Sequence, residues 1–232
     1  NKYLNTALRT FENILIPDSL TKFSSSREKA LEELGLLKGM AMPVLFFPSS
    51  LLTAFSTLLI PEMAEAKSQG RERTVTAIAN KTLKISILIS IVIAGIFFIF
   101  AYELSEIIYG NLEVGYIIKV LAPIVPFMYL ETVVMGILQG LNQQIHSLKY
   151  NIFDSIIRIS LIYAFVPSNG MNGFLLIMIL SNITTSSLNI YRSLKVTSTK
   201  LDIRNWIVIP LISLAAAIII MSYTLSKEVF EF

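Results

Sequence analysis

Lys84-Ile85-Ser86-Ile87-Leu88-Ile89-Ser90-Ile91-Val92-Ile93-Ala94-Gly95-Ile96-Phe97-Phe98-Ile99-Phe100 is the stretch that decides the fold class of this chain. From Ile85 to Phe100 there is no charged side chain, and Ser86 and Ser90 are the only polar ones. A soluble amphipathic helix would alternate such a run with a polar face, and a buried strand would end sooner. Extended over 83–102, the run is long enough as a helix to cross about 30 Å of hydrocarbon at 1.5 Å per residue. Similar apolar runs occur at 40–61, 115–139, 148–166, 171–191 and 206–225, separated by short charged segments. With 54% of 232 residues hydrophobic and 15% charged, the apolar surface exceeds what a soluble core of this size hides, and a bilayer accounts for the excess. The expected fold is an all-α membrane protein, with short loops forcing an antiparallel, up-and-down transmembrane helix bundle.

The same pattern divides the chain. Residues 1–17 form an apolar segment too short to span, expected to be a truncated first transmembrane helix. Residues 18–38 begin with Ser24, Ser25 and Ser26 and continue into the charge-balanced run Arg27 to Leu34, expected to lie at the outer interface as an amphipathic segment. Residues 39–225 hold the six-helix bundle, and 226–232 a short tail. The first residue is Asn1 and no signal-peptide pattern follows, so the chain is expected to be part of a longer one. One set of alternate loops holds Lys67, Arg71, Arg73, Lys81 and Lys84, then Lys149, then Arg192, Lys195, Lys200 and Arg204, whereas the opposite set is acidic or uncharged. Basic loops stay on the cytoplasmic side, which orients the bundle.

Several functions are excluded or disfavoured by composition. Without cysteine there is no disulfide, thiolate metal site or cysteine nucleophile. The single histidine, His146, sits in a polar stretch and reads as a solvated loop residue. The net charge of +3 comes from lysines and arginines at the ends of apolar runs, where membrane orientation explains them without nucleic acid. No paired aspartates on neighbouring helices, histidine metal motif or nucleophile with a base is present, so the chain is not read as an enzyme and no resident cofactor is expected.

Polar groups inside the spans carry the functional signal. An ionisable side chain at the bilayer centre costs about 2.5–3.5 kcal/mol on insertion scales, so its presence marks a pathway, a partner or both. Asn151, Asp154, Ser155 and Arg158 share one helix face, with Asp154 and Arg158 in pairing register. Asn5, Arg9, Glu12 and Asn13 do the same on the first segment, as do Asn182, Thr185, Ser186 and Asn189, and Ser49, Thr53, Ser56 and Thr57. Glu131 and Gln139 lie on the 115–139 span, while 83–102, with little polar beyond Ser86 and Ser90, is expected to face lipid. Serine, threonine and asparagine also serve as interhelical hydrogen-bonding groups that need no substrate, and Asp154 with Arg158 fits a self-neutralising pair equally well. Pro43, Pro48, Pro61, Pro123, Pro126 and Pro210 bend or end spans, which suits moving and static bundles alike.

Gly39-Met40-Ala41-Met42-Pro43 through Phe47-Pro48, Leu59-Ile60-Pro61-Glu62, Leu121-Ala122-Pro123-Ile124-Val125-Pro126 and Gly136-Ile137-Leu138-Gln139-Gly140-Leu141-Asn142-Gln143, with Ile14 to Pro17 before them, give the chain a family likeness. It resembles the polysaccharide-transporter branch of the multidrug/oligosaccharidyl-lipid/polysaccharide exporter superfamily, and within it the stage V sporulation protein B group. The resemblance implies one lobe, the carboxy-terminal one, of a two-lobe MATE-like transporter, with about seven helices of which the first is incomplete. It further implies a flippase in the cell membrane that moves a lipid-linked oligosaccharide or a peptidoglycan or polysaccharide precursor by alternating access. The implied partners are membrane lipids, the lipid-linked glycan and the amino-terminal lobe.

Arg9 is then a candidate for the substrate's pyrophosphate, with Glu12 alongside as a group that neutralises it. Asn13, Glu131, Asp154 and Arg158 complete the candidate substrate-binding set. A cation-coupled multidrug antiporter using Glu131 to exchange Na⁺ or H⁺, and a non-transporting assembly protein, stand as alternatives.

Overall fold

In the computed structural model, residues 2–216 are described, the side chains of Lys2, Leu4 and Asn5 excepted. The described residues are helical with no strand. Helix α1 runs from Lys2 to Ser24, α2 from Arg27 to Gly35, α3 from Met42 to Phe46, α4 from Ser49 to Ser68 and α5 from Glu72 to Ile99. They are followed by α6 (Ala101–Tyr109), α7 (Leu112–Leu121), α8 (Val125–Gly140) and α9 (Gln144–Thr197). A π-helical segment, Leu36–Ala41, joins α2 to α3, and another, Arg204–Val208, opens an apolar helix followed as far as Ala216. The expected span at 206–225 is therefore described in its first part only, and the tail at 226–232 lies outside the described residues.

Among the described residues, three helical stretches are long and apolar enough to cross a membrane: Glu72–Ile99, Leu112–Gly140 and Gln144–Thr197. A fourth is the bent pair Arg27–Phe46 and Ser49–Ser68, whose axes differ by 59°. The bend falls at Phe47-Pro48, where the proline ring leaves no N–H to continue the ladder. Pro123 and Pro126 break the next stretch in the same way, tightening Ala122–Ile124 into a 3₁₀ turn between α7 and α8.

The long helix α9 is a hairpin. Gly170, with φ +58° and ψ −142°, leaves helical geometry, and beyond it Ser181 meets Asp154 and Asn189 meets Ser147. In a straight helix Ser147 and Asn189 would be about 63 Å apart. Glycine is needed at this turn for two reasons, because that backbone is unfavourable for residues with a Cβ and because a Cβ would come within 2.5 Å of the Phe23 ring. The limbs 144–169 and 171–197 match the expected spans at 148–166 and 171–191 and lie antiparallel.

Two expectations are corrected. The first helix does not stop at Pro17 but continues to Ser24, so the segment 18–38 is partly helix α1 and only then the separate α2. Glu12, Ile16 and Leu20 fall one turn apart on the face that packs on α9, and this burial extends the helix past its proline. The chain then turns at Ser25 (φ +54°), and Ser26 caps α2 by accepting from the Lys29 N–H. Nor does α5 simply face lipid. Ser86 and Ser90 are fully buried with Ala79, Leu83 and Ile87, and α5 packs on α8. Small side chains such as serine let packed helices approach closely, so they are at home on a buried face. Only the other face, with Ile85, Ile89, Val92 and Ile96, is exposed.

Helix α8 is the hub, touching α4, α5 and α9. Tyr129 is wholly buried and donates to the Leu45 carbonyl at 2.7 Å. Gly136 and Gly140, in small-xxx-small spacing, admit α4: a Cβ on Gly136 would lie 2.1 Å from Ser56 Oγ and 2.8 Å from the Ser56 carbonyl oxygen. Ser56 itself donates to the Thr132 carbonyl at 2.9 Å, so it serves this contact. Replacing Gly136 with Ala should cost about 1–3 kcal/mol by overpacking. An unchanged melting temperature in lipid nanodiscs would refute that account of the α4–α8 contact.

Candidate functional site

The helical hairpin gathers the polar stripes into one place. Asn151, Asp154, Ser155 and Arg158 come from the outbound limb of α9, and Ser181, Asn182 and Thr185 from the return limb. Glu131 on α8 and Arg9 on α1 complete the wall of a cavity of about 160 Å³ in which every lining side chain is polar or charged. Such a lining between apolar helices costs less when it is hydrated or filled by a polar ligand.

Charges in and beside this cavity are arranged in linked pairs. Ser181 Oγ lies 2.6 Å from each carboxylate oxygen of Asp154 and donates to it. The Arg158 guanidinium stands 3.7 Å from Asp154 and 3.1 Å from Glu12, with its Nε donating to Glu12 at 3.2 Å. Glu131 accepts from Ser186 at 2.9 Å and from Asn189 at 3.3 Å, and Asn189 is tied in turn to Ser147. Thr185 Oγ1 is buried at the cavity without a hydrogen-bond partner among the described residues. Arg9 is exposed and forms no ion pair among the described residues. It therefore offers a full set of guanidinium donors to a ligand.

A second cavity of about 160 Å³ adjoins the first, lined by Glu12, Asn13, Lys38 and Arg158 together with apolar residues such as Ile16 and Phe174. Arg158 lines both cavities, so the Glu12–Arg158 pair stands at the boundary between them.

The sequence-derived candidates are thus partly assembled and partly separated. Arg9, Glu131, Asp154 and Arg158 share the first cavity, whereas Glu12 and Asn13 line the second. Glu12 does not neutralise Arg9: it is buried toward α9, where Arg158 reaches it across the helix interface. Asn13 accepts from Lys38 Nζ at 2.9 Å. The pairing register of Asp154 and Arg158 is realised, yet Arg158 sits nearer to Glu12. Sequence reasoning missed Ser181 and Lys38. Ser181 was legible as the residue one turn before Thr185, while nothing local in the sequence pairs Lys38 with Asn13. His146 lies beside Arg192, 2.9 Å from its Nη2, away from both cavities. No cluster of three or more His, Cys, Asp or Glu able to hold a metal ion occurs among the described residues.

A polar, charged cavity built inside a bundle of membrane-length helices defines the general class, and comparison with known proteins makes it particular. Residues 28–164, more than half of the chain, match MatE, and the chain belongs to that family. It is similar to Stage V sporulation protein B of Bacillus subtilis (strain 168), 25% identical over 224 residues that cover 96% of this chain and 42% of that protein. Similarity also extends to Sporulation protein YkvU of the same strain, 21% identical over 162 residues, 70% of this chain and 36% of the relative. The chain spans less than half the length of these two curated relatives. No solved structure matches it significantly.

Proposed function

We propose that this chain is one lobe of a membrane transporter that moves a lipid-linked oligosaccharide or cell-wall precursor across the bacterial cytoplasmic membrane by alternating access, and that it is not an enzyme. The observation that supports this reading most is the polar cavity lined by Arg9, Asp154 and Arg158, in which the Arg9 guanidinium has no ion-pair partner among the described residues. A precursor's phosphate groups match that guanidinium, and the facing lobe of the same protein would close the cavity. Family membership supports transport, and the names of the two relatives, both sporulation proteins, support a role in sporulation. The basic loops support an orientation with the end carrying Lys84 and Arg204 toward the cytoplasm.

The absence of cysteine from this chain permits a direct test. In the full-length protein, freed of any other cysteine, Asn151→Cys should react with a membrane-impermeant thiol reagent from either side, and a lipid pyrophosphate should protect it. Silence from both sides would mean that the cavity is neither hydrated nor alternately open.

A cation-coupled mechanism is favoured by a separate observation: Glu131 and Asp154 are two carboxylates lining one cavity, with the unpartnered Thr185 hydroxyl between helices beside them. Na⁺ or H⁺ held there would offset the acidic charge during the cycle. Glu131→Gln should flatten the dependence of transport on Na⁺ or pH. A wild-type ion and pH profile in that variant would remove Glu131 from the coupling.

A further inference from the structure

A groove away from both polar cavities, of about 480 Å³, runs between α5, α8, the return limb of α9 and the apolar helix after Arg204. Its wall is apolar except for Ser187 and Tyr191. On α5 the lining residues Leu83, Ile87 and Ile91 form one stripe at i, i+4 and i+8. That stripe is about 12 Å long at 1.5 Å per residue. This is close to the roughly 15 Å depth of one leaflet.

One end of the groove is basic. Leu83, Leu201 and Ile207 line it there, and the exposed cations Lys84, Lys200 and Arg204 lie beside them in the chain. Lys84 directly follows Leu83, Arg204 stands three residues before Ile207, and the Asp202 carboxyl lies in the field of both. The Asn205 side chain and backbone N–H donate to that carboxyl, and with the fields of Arg204 and Lys84 they hold it below its ordinary range. Asp202 is already engaged by Asn205, and neither Lys84 nor Arg204 forms an ion pair within 4 Å among the described residues. The groove thus joins an apolar slot of leaflet depth to two cations free to meet an anion. That combination is complementary to one molecule of an anionic membrane phospholipid, whose phosphate charge, unlike that of a zwitterionic lipid, is not offset by a cation of its own headgroup.

We propose that this groove is a binding site for one anionic phospholipid of the leaflet on the basic side, with an acyl chain along Leu83, Ile87 and Ile91 and its phosphate at Lys84 and Arg204. The site is separate from the polar cavity, and it stands or falls independently of the transport reading.

The test is native mass spectrometry of the full-length protein, delipidated and then incubated with phosphatidylglycerol and phosphatidylcholine of identical chains. One phosphatidylglycerol should be retained with about a tenfold preference. The Lys84→Gln/Arg204→Gln pair should bring the preference close to unity, Lys84→Arg/Arg204→Lys should keep it, and Ile87→Trp, by filling the slot, should lower retention of both lipids. Equal retention of the two lipids by the unaltered protein would overturn the proposal, as would a preference that survives loss of both cations. So would full retention in Ile87→Trp.

Discussion

Replacing Arg158 with Ala should destabilise the folded protein by about 3–5 kcal/mol, the cost of stranding a buried carboxylate whose partner is removed. Glu12 and Asp154 are both mostly buried, with 11% and 12% of their side chains exposed, and Arg158 is the cation within 4 Å of each. Asp154 keeps its hydrogen bond from Ser181, whereas Glu12 loses its salt bridge altogether. The greater part of the loss should therefore trace to Glu12. Adding Glu12→Gln to Arg158→Ala should recover stability, because an uncharged amide tolerates burial far better than an unpaired carboxylate. Thermal unfolding of the single and double variants in nanodiscs measures the coupling. If the double variant is no more stable than Arg158→Ala, the pair does not hold α1 against α9. The same variants bear on dynamics, since a boundary between two cavities that opens should exchange more readily when its ion pair is gone.

Arg9→Ala carries the second large effect, and it falls on transport rather than on folding. An exposed arginine without an ion-pair partner contributes little to stability, so insertion and melting should stay near wild type. Its value to a phosphate-bearing ligand is much greater. Hydrogen bonds to charged groups contribute about 1.5–3 kcal/mol, which corresponds to a loss of about tenfold to a hundredfold in affinity or rate. Arg9→Lys should recover only part of this, because an ammonium keeps the charge but not the planar two-pronged geometry. A reconstituted flipping assay with a fluorescent lipid-linked precursor reads the result. Wild-type flipping by Arg9→Ala would mean that the cavity does not use this residue to hold its cargo, and the phosphate reading would lose its chemical basis.

Much of the candidate site could be read from helical periodicity. Asn151, Asp154, Ser155 and Arg158 had to share a face, because helical geometry repeats every 3.6 residues, and the structure places all four on one cavity. The Thr185 turn was legible for the same reason. What periodicity cannot supply is the partner of that face. Glu12 lies three residues from Arg9 and reads as its counterion, yet it pairs with Arg158, which is 146 residues away in sequence. Ser86 and Ser90 read as incidental in an apolar span, but both are fully buried on the helix that packs against α8. Gly136 and Gly140 were visible as a motif, although the helix they admit, α4, was not.

By itself the sequence determined the all-α membrane character, the positions of most spans, the basic end of the bundle and the polar faces, since these follow from hydrocarbon thickness and helical repeat. Tertiary structure alone decided how α1 continues past Pro17, where α9 folds back, which acid meets Arg158 and that two small polar cavities adjoin at that ion pair. The physical reason is that backbone hydrogen bonds in a membrane helix are local and can be read locally. Burial and charge pairing depend on which distant face arrives, and no short stretch of sequence contains that information.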